Sequence, residues 1–268
     1  MNTFHPEIIH SETNPKIKFI KQLLNSAVFR KKNPFIIVEN PRALDDVINN
    51  RPADISFIIY SSLPESFSNS SALSSIKSYK ITEQLFKQIS TVKQSQGILA
   101  VVKRPEWDIN KIIAKARHIV LLDKIQSALN MGAVIRNAAA FNMDLVLYTT
   151  GSVDPFHPDA IRGMAANCFQ VPILECSDSL FQKIMQHGFK IYVFDAQKGT
   201  LLPDCKFKDK TLFIFGSERA GIVTDYLNVD PNSVSYIRIP INPDVDSLNA
   251  AVSSGIVFYE YITKFRCL

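Results

Sequence analysis

The segment NMGAVIR, residues 130–136, places an amide, a glycine and a guanidinium at the start of a predicted helix. It follows the strand pattern HIVLLDK, and parallel α/β sheets bind their ligands at the carboxyl ends of strands. Asn130 could cap a helix that begins near Met131, and Gly132 allows a close approach of the backbone to a ligand. Arg136 lies between one and two helical turns after Asn130. The plainer alternative is a capped helix that carries an exposed arginine.

The segment GSERAG, residues 216–221, directly follows the buried-strand pattern TLFIF. Its two glycines bracket a carboxylate and a guanidinium, and their spacing resembles that of a phosphate-binding loop. The Lys-Ser/Thr pair that completes such a loop is absent, because Ile222 and Val223 stand there. The pattern GxGxxG occurs nowhere in the chain. Both absences disfavour a nucleotide-dependent enzyme of another α/β class. A ligand loop, a catalytic acid at Glu218 and a charged surface turn remain as alternatives.

A third segment, IPINPDVDSLN, leads from a strand pattern into the last predicted helix. Asp246 or Ser247 could cap this helix. Asn249 contributes little as a helix former, and its amide near a helix N-terminus fits a ligand contact better. The alternative is a well-capped amphipathic helix with no ligand.

The elements that must position these segments alternate between short apolar strands and helices. In the second half, this alternation predicts an α/β fold with a mostly parallel sheet that is covered on both faces. The first hundred residues predict a smaller α/β unit with its own strands and helices. We therefore predict a first domain at residues 1–105, a linker at 106–116 and a second domain at 117–268.

The composition is that of a folded globular protein. Of the 268 residues, 46% are apolar and 21% are charged, which excludes disordered and collagen-like classes. No apolar run approaches the length of a membrane span, and the first residues lack the pattern of a secretory signal, so we expect no membrane association. The four cysteines lack zinc-ligand spacing. We expect free thiols in a reducing, cytoplasmic compartment and no metal.

A basic stretch lies near the start of the chain. No acidic residue occurs between Glu12 and Glu39, and the formal net charge of the whole chain is +5. Such a stretch suits the phosphates of RNA or DNA, although a solvated helix face followed by a turn would look the same. The candidate RNA-binding residues are Lys16, Lys18, Lys21, Arg30, Lys31 and Lys32.

Taken together and in this order, the three segments resemble the signature motifs of the SPOUT superfamily, TrmH/SpoU class. Members of this class are RNA ribose 2'-O-methyltransferases. The matching residues are NMGAVIR, FGSERAG and IPI followed by SLNAAVSSGIVFYE, and the resemblance covers about residues 117–265. The first half is similar, more loosely, to the L30e-like substrate-binding domain of rRNA methyltransferases in this class.

The resemblance implies a specific fold and cofactor site. The second domain would be a parallel α/β sheet whose end is tied into a deep trefoil knot, although knots are rare in proteins. S-adenosylmethionine (AdoMet) would lie bent in the knot, against the loops of the second and third segments. The implied cofactor contacts are Phe215, Gly216, Ile239, Pro240 and Leu248. The implied assembly is a homodimer in which each active site borrows residues from the partner.

The resemblance also implies catalytic roles. Methyl transfer to a ribose hydroxyl needs the hydroxyl to be positioned and its proton removed. Arg136 matches the catalytic arginine of the family, and an arginine pKa above about 12 makes it a poor base in water. It would fix the target phosphate and lower the pKa of the hydroxyl, or act as a base if its own pKa is perturbed. Glu218 would orient Arg136 or a neighbouring polar group, and Asn130, Ser247 and Asn249 would position substrate and loops.

The implied substrate is large-subunit (23S-type) rRNA, because tRNA enzymes of this class often carry short basic extensions instead of a first domain. Methylation of tRNA and a non-catalytic RNA-binding protein on the same scaffold are the alternatives. Ser127 and Ala128 stand where the family often has Asp-Pro, which leaves the RNA target open.

Overall fold

The structure is a computed structural model, and it describes residues 6–64, 67, 73, 75–92, 94–165, 167–195, 197–217, 222 and 225–265. It divides into two compact units. The first comprises the described residues of 1–105 and 156–166, and the second comprises those of 106–155 and 167–268. Residues 106–116, predicted as a linker, thus belong to the second unit, and a short segment from the second half of the sequence belongs to the first.

The first unit is built on a five-stranded sheet of order β1-β4-β3-β5-β2, in which β5 runs antiparallel to both of its neighbours. Its elements up to residue 105 are β1 (Glu7–Ile8), α1 (Pro15–Asn25), α2 (Ala27–Lys32), β2 (Phe35–Val38), α3 (Pro41–Asn50), β3 (Ile55–Tyr60), β4 (Ser78–Lys80), α4 (Glu83–Lys87) and β5 (Ile98–Lys103).

The helical pattern after Asn14 predicts one helix to about Val28, but the structure has two. Ser26 lies between them in an extended conformation, with φ −125° and ψ 109°. Its hydroxyl accepts a hydrogen bond from the backbone N–H of Phe29, at 3.2 Å, and so caps the second helix. The prediction was wrong because a serine hydroxyl competes for backbone donors and favours a cap over a helix interior.

The second unit contains a seven-stranded, all-parallel sheet of order β10-β12-β9-β11-β6-β7-β8. This confirms the predicted α/β fold. The remaining elements are α5 (Ile109–Lys115), β6 (His118–Leu122), α6 (Ala128–Ala140), β7 (Leu145–Tyr148), α7 (Pro158–Met164), β8 (Ile173–Glu175), α8 (Asp178–Gln186), β9 (Lys190–Phe194), β10 (Thr200–Leu201), β11 (Thr211–Phe215), β12 (Val234–Arg238) and α9 (Ala250–Phe265). Of these, α7 belongs to the first unit.

Both faces of this sheet are covered, as continuous apolar strands require. On one face, Leu212 and Ile214 of β11 pack in a buried cluster with Phe181 of α8. On the other face, the ring of Phe213 lies 5.8 Å from that of Phe258 and 5.1 Å from that of Tyr261, both on α9. The sheet is therefore the middle layer of three. Its parallel strands bring the loops after β9, β11 and β12 to one edge.

The loop after β9 is held closely against β12. Gly199 has φ +109°, which residues with side chains rarely adopt. A Cβ atom at this position would lie 2.3 Å from the carbonyl oxygen of Tyr236. Only glycine fits there, so this loop keeps its position next to the end of β12.

No helix in the described ranges is long and apolar enough to cross a membrane.

At the amino-terminal ends of the same strands, the Asp144 carboxylate has two backbone donors and an imidazole around it. Asp144 accepts hydrogen bonds from the backbone N–H groups of Arg117 and His118, both at 2.8 Å. Its Oδ2 atom lies 3.3 Å from the His118 imidazole. Burial alone would raise the pKa of Asp144, but the imidazole and the two N–H donors stabilise the charged form and lower that pKa below its usual value.

We expect Asp144→Asn to destabilise the protein near neutral pH and to have a smaller effect in acid. A carboxyl group whose pKa is lowered by folding stabilises the native state above its unfolded pKa, and that stability is lost as the pH falls through the folded pKa. Urea unfolding between neutral pH and about pH 3 measures this. The exposed Asp45→Asn is the control, and a difference for Asp144→Asn that stays constant with pH would contradict the assignment.

Candidate active site

A cavity of about 540 Å³ opens at the carboxyl edge of the parallel sheet. It is formed by the loops after β9, β11 and β12 together with the start of α9. Several residues predicted to contact a ligand line it, namely Phe215, Gly216, Ile239, Ser247 and Leu248. The second and third sequence segments, which are separated by 17 residues along the chain, therefore share one cavity.

The wall of this cavity includes a flat apolar surface. The rings of Phe194 and Phe215 stack with their centroids 4.6 Å apart and their planes 6° apart. Phe215 is buried at 2% exposure and packs in turn on Phe258 of α9. Such rigid aromatic packing favours a planar, weakly charged ligand.

The sequence reasoning missed the polar residues that the loop after β9 adds to the cavity. Asp195, Gln197 and Lys198 line it. Oδ1 of Asp195 accepts the backbone N–H groups of Gln197 and Lys198, at 2.9 and 3.1 Å, which fixes the turn. The Lys198 ammonium lies 4.1 Å from the ring centre of Tyr236. The sequence did contain a signal, the polar residues that follow the strand KIYVFDA. Assigning these residues to the cavity required the knowledge that β9 lies between β11 and β12.

Helix α6, which carries the first segment, starts earlier than predicted. It begins at Ala128, and the hydroxyl of Ser127 caps it by accepting the backbone N–H of Asn130 at 3.3 Å. The predicted cap at Asn130 is therefore wrong, because the serine three residues earlier satisfies the free N–H group. Asn130 lies inside the first turn, and its side chain is available for another role.

That role is a contact with the third segment. The side-chain amide of Asn249 donates a hydrogen bond to Oδ1 of Asn130, at 3.0 Å. Oδ1 of Asn249 accepts the backbone N–H groups of Ala251 and Val252, at 2.9 and 3.4 Å. Asn249 thus caps α9, and the prediction of a cap at Asp246 or Ser247 is wrong. The two asparagines join the start of α6 to the start of α9.

About two turns further along α6, Asn137 also joins the two helices. Its amide donates to the carbonyl of Ala251 at 2.8 Å and to the Ser254 hydroxyl at 2.9 Å. Arg136, its neighbour in sequence, is exposed. Within the described part of the chain, the Arg136 guanidinium makes neither a hydrogen bond nor an ion pair. The fixed helix therefore presents an exposed guanidinium.

Glu218, the predicted partner of Arg136, lies outside the described residues, so their pairing stays a prediction. Pro240 is exposed in the loop after β12, next to Ile239, which does line the cavity.

The predicted RNA-binding residues are placed unequally in the first unit. Lys18, Lys31 and Lys32 are exposed, and Lys16 and Lys21 are half-buried. Arg30 is only 4% exposed, and its guanidinium donates to the carbonyls of Leu23 and Leu24, at 2.8 and 3.0 Å. The expectation that Arg30 contacts RNA is wrong, because its buried guanidinium donates hydrogen bonds to backbone carbonyl groups at the end of α1.

Neither a metal nor a nucleophilic thiol is indicated by the described residues. No group of three or more His, Cys, Asp or Glu side chains among them could hold a metal ion. Burial raises the pKa of Cys176 to about 12 and that of Cys205 to about 11, so both thiols are protonated at neutral pH. Cys267 lies outside the described residues.

Comparison with known families identifies the class of this protein. Residues 117–259 match the model of the SpoU rRNA Methylase family, and residues 14–100 match that of the MRM3-like substrate binding domain. The first match alone spans more than half of the chain. The chain belongs to the SpoU rRNA Methylase family, which confirms the resemblance predicted from the three segments.

Individual relatives agree with this assignment. The 23S rRNA (guanosine(2553)-2'-O)-methyltransferase RlmP of Bacillus subtilis is 27% identical over 253 residues, which is 94% of this chain and 97% of that protein. The 23S rRNA (adenosine(1067)-2'-O)-methyltransferase of Streptomyces laurentii is 31% identical over 144 residues, 53% of this chain and 52% of that protein. A solved AdoMet-bound rRNA methyltransferase from Sinorhizobium meliloti shares the fold, with a TM-score of 0.81 and 20% identity over 97% of this chain and 98% of that chain.

We expect Asn137→Ala to lower the free energy of unfolding by about 1–3 kcal/mol, because it removes two hydrogen bonds across the α6–α9 contact. Arg136→Ala, one residue away on the exposed side of the same helix, should change it by no more than about 0.5 kcal/mol. Urea denaturation of both variants measures the two effects. Equal stabilities for the two variants would show that Asn137 does not hold the helices together.

Proposed function

We propose that this protein transfers a methyl group from AdoMet to a ribose 2'-hydroxyl of large-subunit (23S-type) rRNA. The observation that carries the proposal is the hydrogen bond between Asn130 and Asn249. It fastens the helix that presents Arg136 to the loop and helix that form one wall of the ligand cavity. A cofactor site and a cationic substrate contact are thereby built on one rigid support.

The cavity residues fit AdoMet. Phe215 ends β11, Gly216 follows it, and Ile239 and Leu248 lie in the loop after β12, so these two loops supply backbone and apolar side chains to the cavity. The stacked pair of Phe194 and Phe215 suits the adenine ring. AdoMet supplies an activated methyl group on a sulfonium sulfur. Gly216, Ile239, Pro240 and Leu248 hold the cofactor, and the apolar wall excludes water from it.

Arg136 acts on the RNA rather than on the cofactor. A guanidinium stays protonated at neutral pH and forms paired hydrogen bonds to phosphate oxygens. Bound to a phosphate next to the target ribose, it fixes the hydroxyl in line with the methyl group and favours transfer of the hydroxyl proton to a solvent water. Asn130, Ser247 and Asn249 hold the surrounding loops, and Glu218 orients the guanidinium.

The first unit holds the RNA. Exposed or half-buried lysines on α1 and α2 provide charges for backbone phosphates, and these are Lys16, Lys18, Lys21, Lys31 and Lys32. The match to a substrate-binding domain and the 23S rRNA activity of two relatives support rRNA over tRNA. A protein that acts on rRNA during its maturation belongs in the cytoplasm, and we propose that location.

We further infer a homodimer with a knotted second unit. Several large apolar side chains are exposed near the α6–α9 contact, namely Leu129, Val252, Ile256 and Tyr259. Covering them with a second copy would remove apolar surface from water next to Arg136. In the sheet, β9 lies between β11 and β12, and the loops after β11 and β12 both line the cavity. This arrangement supports a trefoil knot. Sedimentation equilibrium tests the dimer, and a monomer at all concentrations would contradict it.

We expect Arg136→Ala to abolish most methyl transfer while leaving folding and AdoMet affinity unchanged, because this side chain contacts only the RNA. Labelled AdoMet incubated with 23S rRNA transcripts measures transfer, and calorimetry measures AdoMet binding. Removal of one electrostatic contact of this kind typically costs about 10²–10³ in rate. Equal transfer by the variant and the wild-type protein, or no transfer by the wild-type protein to any RNA, would overturn the proposed function.

A further inference from the structure

A second cavity, of about 210 Å³, lies wholly within the first unit. One side is formed by the end of β2 and the start of α3, the second by the loop between α4 and β5, and the third by α7. None of the residues proposed above for catalysis, cofactor binding or RNA binding lines it. We propose that this cavity binds a single unstacked nucleobase of the RNA substrate, an inference that rests on the proposed function.

The wall of the cavity is held rigid by one buried carboxylate. Glu39 is 9% exposed and accepts four hydrogen bonds from the loop between α4 and β5. The donors are the hydroxyls of Ser90, Thr91 and Ser95 and the backbone N–H of Thr91. Four donors use the whole acceptor capacity of a carboxylate. Glu39 therefore organises the loop and does not itself bind a ligand.

The same loop ends at a glycine that no other residue replaces easily. Gly97 has φ +77°, and a Cβ atom there would lie 2.3 Å from the hydroxyl oxygen of Ser62. The hydrogen bonds to Glu39 and the turn at Gly97 fix the described part of this loop before any ligand arrives. Because the cavity is preformed, binding of a base does not have to order the protein, and the entropic cost of binding is lower.

The size and the lining select the ligand. Cavities for drug-sized molecules are typically about 300–1,000 Å³, so 210 Å³ suits one ring system and not a whole nucleotide. The apolar lining, which includes Ile37, Val92 and Ile161, suits the face of a planar base. A lipid chain or an apolar peptide would make no use of the polar side chains that also line this cavity.

The rim carries groups that read base edges. The side-chain amides of Gln94 and Gln96 each offer a donor and an acceptor, and neither amide has a hydrogen-bond partner in the described part of the chain. Both residues are exposed. Arg162 of α7, held by Asp159 at 2.9 Å, adds a planar guanidinium. Amides and guanidinium planes of this kind recognise splayed-out bases in single-stranded RNA.

The test is RNA affinity and its salt dependence, measured on the full-length protein with a 23S rRNA transcript. We expect the double variant Gln94→Ala/Gln96→Ala to bind about tenfold more weakly, the loss expected for one base-edge contact. The slope of log affinity against log salt should not change, because no phosphate contact is removed. Gln84→Ala, an exposed glutamine on α4 away from the cavity, is the matched control and should bind like the wild-type protein.

A second measurement names the base. Chemical protection mapping should show one unpaired base that the wild-type protein protects and the double variant does not. Replacing that nucleotide by an abasic one should weaken wild-type binding about tenfold and leave binding by the double variant unchanged, since both changes remove the same contact.

Several outcomes would overturn the proposal. Wild-type affinity in the double variant, or a smaller salt slope that reveals a phosphate contact, would reject a base site while leaving the methyltransferase function intact. That function is checked separately by methyl transfer from the wild-type protein. A wild-type protein that binds no RNA would overturn both.

Discussion

The contact between α6 and α9 is the constraint on which the rest of the catalytic unit depends. Asn249 donates a hydrogen bond to Asn130 at one end of the contact. Further along, Asn137 donates hydrogen bonds to Ala251 and Ser254. The Asn137 hydrogen bonds are partly buried between the helices, where a polar group without a partner costs more than a hydrogen bond gains. The helices are therefore fixed in register, and Arg136 takes its position from that register.

The sheet provides the second half of the site. Because all seven strands of this sheet are parallel, its carboxyl edge collects the loops after β9, β11 and β12, and the aromatic layer under α9 makes that edge rigid. The stacked rings of Phe194 and Phe215 extend this aromatic layer to the cavity wall. For methyl transfer, such a cavity has to hold the cofactor still beside a hydroxyl. Packed aromatic side chains and fixed backbone provide this support.

The sequence predicted the chemistry-bearing segments better than it predicted their local contacts. Alternating strands and helices were enough for a parallel α/β sheet, and Phe215, Gly216, Ile239, Ser247 and Leu248 could be assigned to one cavity from motif resemblance. The caps at Ser127 and Asn249 were missed because several polar residues lie near each helix start, and only three-dimensional geometry selects among them. Arg30 was misassigned because a charge in a sequence does not reveal the carbonyl groups that its side chain will meet.

The loop after β9 and the segment around α7 could not be assigned from sequence for a different reason. Both have neighbours that are distant along the chain: the loop after β9 contacts Tyr236, and α7 lines the same cavity as Ile37 and Glu39. Strand order and long-range packing decide such contacts, and neither leaves a local pattern.

The central claim is that the cavity at the carboxyl edge binds AdoMet, and a calorimetric titration with AdoMet tests it most directly. The account predicts saturable binding by the wild-type protein and by Arg136→Ala. It also predicts that Gly216→Val, which places a branched side chain in the cavity wall, weakens binding by about tenfold or more through steric overlap. Absence of AdoMet binding by the folded wild-type protein, or wild-type affinity in Gly216→Val, would contradict the account.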